Sequence, residues 1–479
     1  MLVAVAIGRA LALVSITRLR GAGFEMIWSG TTRVHRTTRE AALVIECELV
    51  NRSRQAVRVT RLHAIASSML VTSVRPADLD LAAGTRARIE VAIRGRRIGR
   101  WGVHGLALRV CATPLGAHGL YEVPLVFASP LGIEVLPQTL AAFAQSSRGG
   151  RARRAPETGR RGRGPGHGDE VRELRDRAPG DPLKQVAWKA SARRGRLLVR
   201  EMERDEGDVV WLVLDASIEL WAGDAGDAPL DRMADQVASL ATRLLRRGQR
   251  VGLAVTASRS RSWVAPKQGA AQGSRIAEAL ASASSAIDAD RSALAEAEVA
   301  RLVTEHARPL ESGVPTALPH GDLDELAGRA EKLRARAPFA ARVPFASTAR
   351  ERSLRHYLSS FGIESPPRAS GEREQSEPTL AVALEHLAVE RPRPSVVYVW
   401  APAPLNPSGF ARALSALRRR HIDLRWSLPS HDLANPRGSE SSGFVEVLTA
   451  EVARMRASAS RMKDERVLRR LGVRLGASR

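Results

Sequence analysis

Two hydrophobic periods follow one another along this chain, and they call for two different kinds of sheet. Residues 25–137 carry a period of two. In Ala42–Val50, Ile45, Cys47 and Leu49 alternate with Glu46 and Glu48. In Arg88–Arg94, Ile89, Val91 and Ile93 alternate with Arg88, Glu90 and Ala92. Successive side chains of a strand point to opposite faces, so this pattern buries one face and wets the other. Half-buried antiparallel strands read this way. Asn51-Arg52-Ser53 and Ala83-Gly84 supply turns between them. Two such sheets closing on each other predict a β-sandwich domain over 25–137.

Beyond residue 205 the period changes. Val209–Leu214, Val251–Val255 and Ser395–Trp400 are apolar with little alternation, and Ile422–Trp426 reads as a further strand. Asp231–Arg247 puts Met233, Val237, Leu240 and Leu244 on one helical face, and Ser408–Arg420 reads as a second helix. Continuous apolar strands alternating with amphipathic helices predict a mainly parallel sheet covered on both sides, an α/β domain over 205–450. Inside it, residues 285–376 are rich in Ala, Arg and Glu, with breaks at Arg308–Gly321 and Glu364–Pro378. Leu323, Leu326, Ala330 and Leu333 mark a helix there, so this part reads as a helical insertion. In the basic tail, 451–479, Val452–Leu475 reads as a helix or helix pair. Its stripe of Val452, Met455, Ala459 and Met462 is expected to pack as core.

The remaining stretches are set by charge. Residues 138–168 read as a basic flexible linker, since Ser146–His167 holds seven Arg, one Glu and almost nothing apolar. Such a segment cannot repay its ordering entropy by burial. Leu2–Ile16 is apolar but carries Arg9, and Arg18 and Arg20 follow it. A spanning helix needs about 20 residues, and a central Arg costs about 2.5–3.5 kcal/mol on insertion scales. This is a poor membrane span by itself. The net charge of +23 comes from 69 Arg and only 5 Lys, a skew expected of genome composition as much as of a polyanion partner. Aromatic content of 4% leaves no stacking platform for single strands, so a nucleic-acid partner is not expected. Cys47 and Cys111 are too few for a disulfide framework and read as small core residues in a reducing setting.

The densest local motif spans 169–204. Leu174-Arg175, Gly180-Asp181, Trp188-Lys189-Ala190-Ser191-Ala192-Arg193 and Leu198-Val199-Arg200-Glu201 follow one another. Ala178–Pro182 reads as a turn, Leu183–Ala192 as a short helix and Arg196–Glu201 as a strand. This sequence resembles the signature of the bacterial family named domain of unknown function 58. Arg177 stands where that family usually has Tyr, and Ala187 where Asp usually precedes the Trp. Arg96-Arg97-Ile98-Gly99 and Thr113-Pro114-Leu115-Gly116 resemble turns of its N-terminal region.

The resemblance implies a C-terminal domain of the von Willebrand A type, a Rossmann-like α/β fold, and a partner of the MoxR-type AAA+ ATPase class. It also implies a membrane hairpin ahead of the β domain, so residues 1–24 are expected to hold the end of a truncated membrane segment. In von Willebrand A domains an Asp-x-Ser-x-Ser loop after the first strand helps hold Mg²⁺ through oxygen ligands. Asp215, Ser217 and Glu219 fall at that loop, with Glu219 in place of the second Ser. The acid usual after the later strand is absent from Val399-Trp400-Ala401-Pro402. A degenerate site is therefore expected, and no cofactor is expected to be essential.

Trp188 is expected to anchor its helix in the core. Arg175, Asp181, Lys189 and Arg193 offer, as the alternative, a polar cluster that grips a partner. Phosphate-loop, nucleophile-elbow and His-Glu-x-x-His motifs do not occur in the sequence. The chain thus reads as a non-catalytic protein-binding adaptor, and the resemblance implies that it works with a MoxR-type ATPase in the assembly or activation of protein complexes. Its expected place is the bacterial cytoplasm or the cytoplasmic face of the inner membrane, with weak membrane association. A metal-dependent enzyme on the same sheet and a basic nucleic-acid binder are the rival readings.

Overall fold

The computed structural model describes residues 24–111, 123–146, 160–177, 186–206, 209–283, 294–310, 323–364, 373–429 and 444–475, with 55, 222 and 345 excepted, and scattered positions among the first 14. The chain forms two compact units. One comprises Met1–Gln138, Ile218–Ala234 and Glu278–Arg373, and the other Thr139–Ser217, Asp235–Ala277 and Glu374–Arg479.

The first unit holds two sheets. One runs β1 (Phe24–Trp28), β3 (Ala42–Asn51), β7 (Arg86–Gly95), β5 (Leu70–Arg75). The other runs β2 (Val34–Thr38), β9 (Val123–Leu136), β8 (Gly99–Cys111), β4 (Val57–Ala66), β6 (Leu79–Leu81). All pairings are antiparallel except β2 with β9. The alternation is realised residue by residue. Ile45, Cys47 and Leu49 on β3 and Ile89, Val91 and Ile93 on β7 are buried in one core with Trp101, Val103 and Leu106 of β8. Burial pushes the Cys47 thiol up to about 12, which makes it an inert core residue. Arg97, just before β8, is buried against Asp231, with its Nη2 3.0 Å from Asp231 Oδ2. Burial pushes the Asp231 carboxyl up, and Arg97 together with two backbone N–H groups pulls it back.

Helices α5 (Glu296–Ala307), α6 (Leu323–Leu333) and α7 (Ala349–Phe361) share a core of Val299, Val303, Leu326, Ala330, Leu354, Tyr357 and Phe361. These helices of the expected insertion belong to the unit of the N-terminal strands, not to the α/β unit that brackets them in sequence. Their docking needs bare backbone. A Cβ on Gly102 would lie 2.6 Å from the Phe361 carbonyl oxygen, and one on Gly132 would lie 2.7 Å from the Phe339 ring. Ser67 fastens the same contact, donating to Gly362 O and accepting from Gly102 N, each at 3.0 Å.

The second unit is built on a six-stranded sheet in the order β14 (Ser260–Lys267), β13 (Arg250–Thr256), β12 (Val209–Asp215), β15 (Val396–Trp400), β16 (Asp423–Ser427), β17 (Arg474–Leu475). Every pair is parallel except β13 with β14, which carries a register shift near Ala265 and Pro266. All seven residues of β12 are buried, as its unbroken apolar run requires of a central strand. Leu380, Leu384 and Leu387 of α8 (Arg373–Val389), Phe410, Leu414 and Leu417 of α9 (Pro407–Arg419), and Trp426 join Trp211 and Val399 in its core. Helices α3 (Pro229–Arg246) and α4 (Ala270–Ala283) follow β12 and β14 in the chain. β12, β13, β15, β16, α3 and α9 are those expected from the sequence, whereas β14, β17, α4 and α8 are not, and α8 runs through Pro378, inside the expected break Glu364–Pro378.

Two expectations are corrected. The tail is one helix, α10 (Phe444–Arg470), and its stripe of Val452, Met455, Ala459 and Met462 is exposed. Among its described side chains Leu468, near its end, is the buried one, with Val473 just beyond. An apolar stripe at helical spacing states what a helix can bury, not what reaches it. Within the stretch 138–168, expected as a flexible linker, Gln138–Ser146 forms α1 and Arg160 begins β10 (Arg160–Asp176). A two-stranded ribbon pairs its own backbone and so needs no apolar run to be drawn. Among the described residues no helix is long and apolar enough to cross a membrane, and the described positions within 3–14 are helical, with Val3, Ile7 and Leu11 exposed.

Candidate functional site

The signature folds as a ribbon with a helix set across it. β10 pairs antiparallel with β11 (Leu198–Glu206), bringing Leu174 opposite Arg200, Arg175 opposite Val199 and Glu173 opposite Glu201. Val186 bridges to Val199, and α2 (Trp188–Arg194) follows, ending at Gly195 in the left-handed conformation. The helix is shorter than the sequence suggested and the strand starts two residues later. Gly180 and Asp181 lie outside the described residues, as does the expected turn around them.

Ser191 is the residue that ties this arrangement together. It is buried, its Oγ donates to Ala187 O at 3.0 Å, and Leu198 N donates to it at 2.9 Å. Ala187 N donates to Leu198 O at 2.8 Å, closing the same junction from the backbone. The helix thus rests on β11 through Val186, Ala187, Ser191, Leu198 and Val199, all buried.

Trp188 does not take part. It is 62% exposed, against its expected role as core anchor. It stands at the first helical position, and the residue before it, Ala187, is the buried one. Leu174 and Leu197 are exposed too, at 39% and 43%. Lys189, Ala192 and Arg193 face solvent, and Arg196 pairs with Asp176 at 2.9 Å on the surface. Of the polar cluster expected from Arg175, Asp181, Lys189 and Arg193, the structure describes the side chains of the last two, one helical turn apart and both exposed.

The second candidate lies at the end of β12. Asp215 and Ser217 are buried, and both Asp215 oxygens accept from Ser217, Oδ1 from its N–H at 3.0 Å and Oδ2 from its hydroxyl at 3.2 Å. Thr256 stands opposite Asp215 in the ladder, and its buried Oγ1 has no hydrogen-bond partner among the described residues. Local spacing could not reveal Thr256, which belongs to the next strand. Glu219 turns to a different task, accepting from Arg373 N at 2.9 Å. Where the later strand's acid would stand, Ala401 is buried, and its carbonyl accepts from Trp426 Nε1 at 2.8 Å. Among the described residues no three His, Cys, Asp or Glu side chains gather in a metal-holding group. The donors at this strand end are of the hard oxygen type that Mg²⁺ takes, but they amount to one carboxylate and two hydroxyls, and the carboxylate is engaged by Ser217.

Residues 173–310 match the family model described as "Protein of unknown function DUF58". It is the family whose signature residues are set out above. No curated protein matches the chain. Among solved structures, the PapD-like domain 7 of human CEP192 is similar at 11% identity, covering 24% of this chain and 87% of that one, with a TM-score of 0.19. The Caenorhabditis elegans MSP family member WR4 is similar at 5% identity, with 22% and 92% covered and a TM-score of 0.16. The Escherichia coli chaperone DraB is similar at 14% identity, with 24% and 56% covered and a TM-score of 0.16. Likenesses at these scores carry no argument about this chain.

Proposed function

We propose that this chain, which carries the DUF58 signature, is a non-catalytic adaptor that docks on a protein partner through that signature. Exposed Trp188 is the observation that supports this reading. A large aromatic left in water forgoes burial that its own helix could have supplied, and Trp is enriched at the energetic centres of interfaces. Leu174 and Leu197 add exposed apolar surface on the same segment, and Lys189, Arg193 and Arg194 add positive charge. The surface suits a partner with an apolar pocket and an acidic rim. By the family resemblance, that partner is a MoxR-type AAA+ ATPase acting in the assembly or activation of protein complexes. The setting proposed is the bacterial cytoplasm or the cytoplasmic face of the inner membrane. Weak membrane attachment there would come from Leu2–Ile16 and the arginines after it.

This reading requires no resident cofactor. A metal-dependent enzyme is the weaker course, because it would have to recruit Asp215 away from Ser217 and do without a second strand-end acid.

The test is a binding measurement between the full chain and the MoxR-type ATPase of the same genome. Trp188→Ala is expected to weaken binding by about tenfold or more, the share of an interface anchor. Its urea midpoint should stay at that of the parent chain. Unchanged binding would overturn the proposal. So would a loss of stability of about 3–5 kcal/mol, the signature of a core aromatic.

A further inference from the structure

At the edge of the six-stranded sheet, β15, β16 and β17 begin beside the C-terminal ends of α9 and α10. A cavity of about 570 Å³ opens there, within the second unit. Its charged lining consists of Arg418, Arg425, Arg474 and Asp423, with His421 beside them. Three guanidinium groups against one carboxylate give these four side chains an excess of two positive charges.

The arginines are held in different ways. Asp423 accepts from Arg425 Nε at 3.0 Å and lies 3.5 Å from Arg474 Nη1, so one carboxylate orients two guanidinium groups. Arg425 is fixed further, since its Nη1 donates to the Tyr398 hydroxyl at 3.1 Å and its guanidinium lies 5.4 Å from the centre of the Tyr398 ring. Arg418 donates to the Leu471 carbonyl at the end of α10.

Helix C-termini ordinarily present negative carbonyl ends, which oppose an anion. Here several of those carbonyls are already engaged. Ile422 N donates to Leu417 O, Val473 N to Leu468 O and Gly472 N to Arg469 O. Each helix end is closed by a residue in the left-handed conformation, His421 after α9 and Gly472 after α10. The concave wall therefore faces outward with guanidinium N–H groups more than with free carbonyl groups.

We infer that this cavity binds a small soluble phosphate-bearing ligand, with Arg418 and Arg474 donating to phosphate oxygens and Arg425 held behind them by Asp423. Guanidinium forks match phosphate oxygens in geometry and charge. The volume falls in the range of small-molecule sites, about 300–1,000 Å³, and has room for more than one phosphate. The polar arginine wall favours a phosphorylated ligand over an apolar one. This site is separate in residues and chemistry from the signature surface.

The experiment is calorimetric titration of the full chain with pyrophosphate and with inorganic phosphate at about 0.15 M salt, where long-range attraction to net charge is largely screened. One saturable site is expected, with pyrophosphate binding more tightly than phosphate. Arg474→Ala is the informative variant, since that side chain is 78% exposed and its removal leaves the core intact. It should weaken pyrophosphate binding by about tenfold, the share of a charge-assisted contact. Arg418→Ala should do the same, and Arg58→Ala, in the other unit, should not. Absence of saturable heat would overturn the inference. So would an affinity indifferent to Arg474, or an equal loss in Arg58→Ala, which would mark attraction to net charge. Arg474-dependent binding to phosphatidylglycerol vesicles without pyrophosphate binding would also overturn it, by making the ligand a lipid headgroup.

Discussion

His104 and His306 are 202 positions apart in sequence and meet inside the first unit. His306 Nε2 lies 3.1 Å from His104 Nδ1, and His306 Nδ1 lies 2.8 Å from the Tyr357 hydroxyl. When Tyr357 donates to His306, His306 in turn donates to His104, and both rings are neutral. A further proton on His104 Nδ1 would set two N–H groups against each other. Burial lowers His104 to about 4, and burial together with the charge of His104 lowers His306 to about 3. The unfolded chain therefore takes up protons near pH 6.5 while the folded chain resists them. Stability from the pair is complete above 6.5 and is lost as pH falls toward the folded values. At pH 5 the loss is at most about 2 kcal/mol per histidine. Urea midpoints at pH 7 and pH 5 would measure it. The difference should shrink in a His104→Gln, His306→Gln double variant, and a midpoint equally pH-dependent in that variant would assign the acid sensitivity elsewhere. No spacing rule could have found this pair, because its members lie on a strand and a helix brought together only by the tertiary fold.

At the scale of elements, legibility followed the number of constraints each residue satisfies. β3 and β7 were readable because every second residue had to be apolar. β12, β13 and β15 were readable because nearly every residue had to be, while β16 holds only Leu424 and Trp426 as apolar residues. The signature strand and helix were readable as types and misplaced at their ends, since Ser191, not an apolar residue, makes their junction. α10 shows the limit of periodicity. Met455 and Met462 carry helical spacing and lie exposed, while Leu468 at the far end of the same helix is fully buried. Leu468→Ala should cost about 2–5 kcal/mol, as a core truncation does. Met455→Ser should stay within about 0.5 kcal/mol, as an exposed substitution does. Urea unfolding of both variants checks the contrast, and comparable losses would place Met455 in a packed interface.

For the molecule as a whole, net charge was the easiest number to read and the least informative. Many of its arginines are committed. Arg36 pairs with Glu134 and Glu278, Arg97 with Asp231, Arg350 with Glu296 and Arg355 with Glu351. Retention on DNA should therefore be diffuse at low salt and fall steeply as salt rises, the behaviour of counterion release without base contacts. A gel shift at about 0.15 M salt should give no discrete band. A saturable complex there would restore the nucleic-acid reading. The membership of the helices at 285–376 in the first unit was not legible, because an insertion's sequence does not state which neighbouring core it joins.

The two borders of the six-stranded sheet bear on how such molecules behave when crowded. A border strand offers unpaired N–H and carbonyl groups to any other chain, which invites sheet-to-sheet addition and fibre growth. Here one border is β17, two residues long and bearing Arg474. The other is β14, where Pro266 removes a donor, the register shift beside it breaks the ladder, and Lys267 ends the strand. Neither border offers a long, flat template, so the parallel sheet that forms the core of this unit is poorly suited to seed aggregation from its own edges.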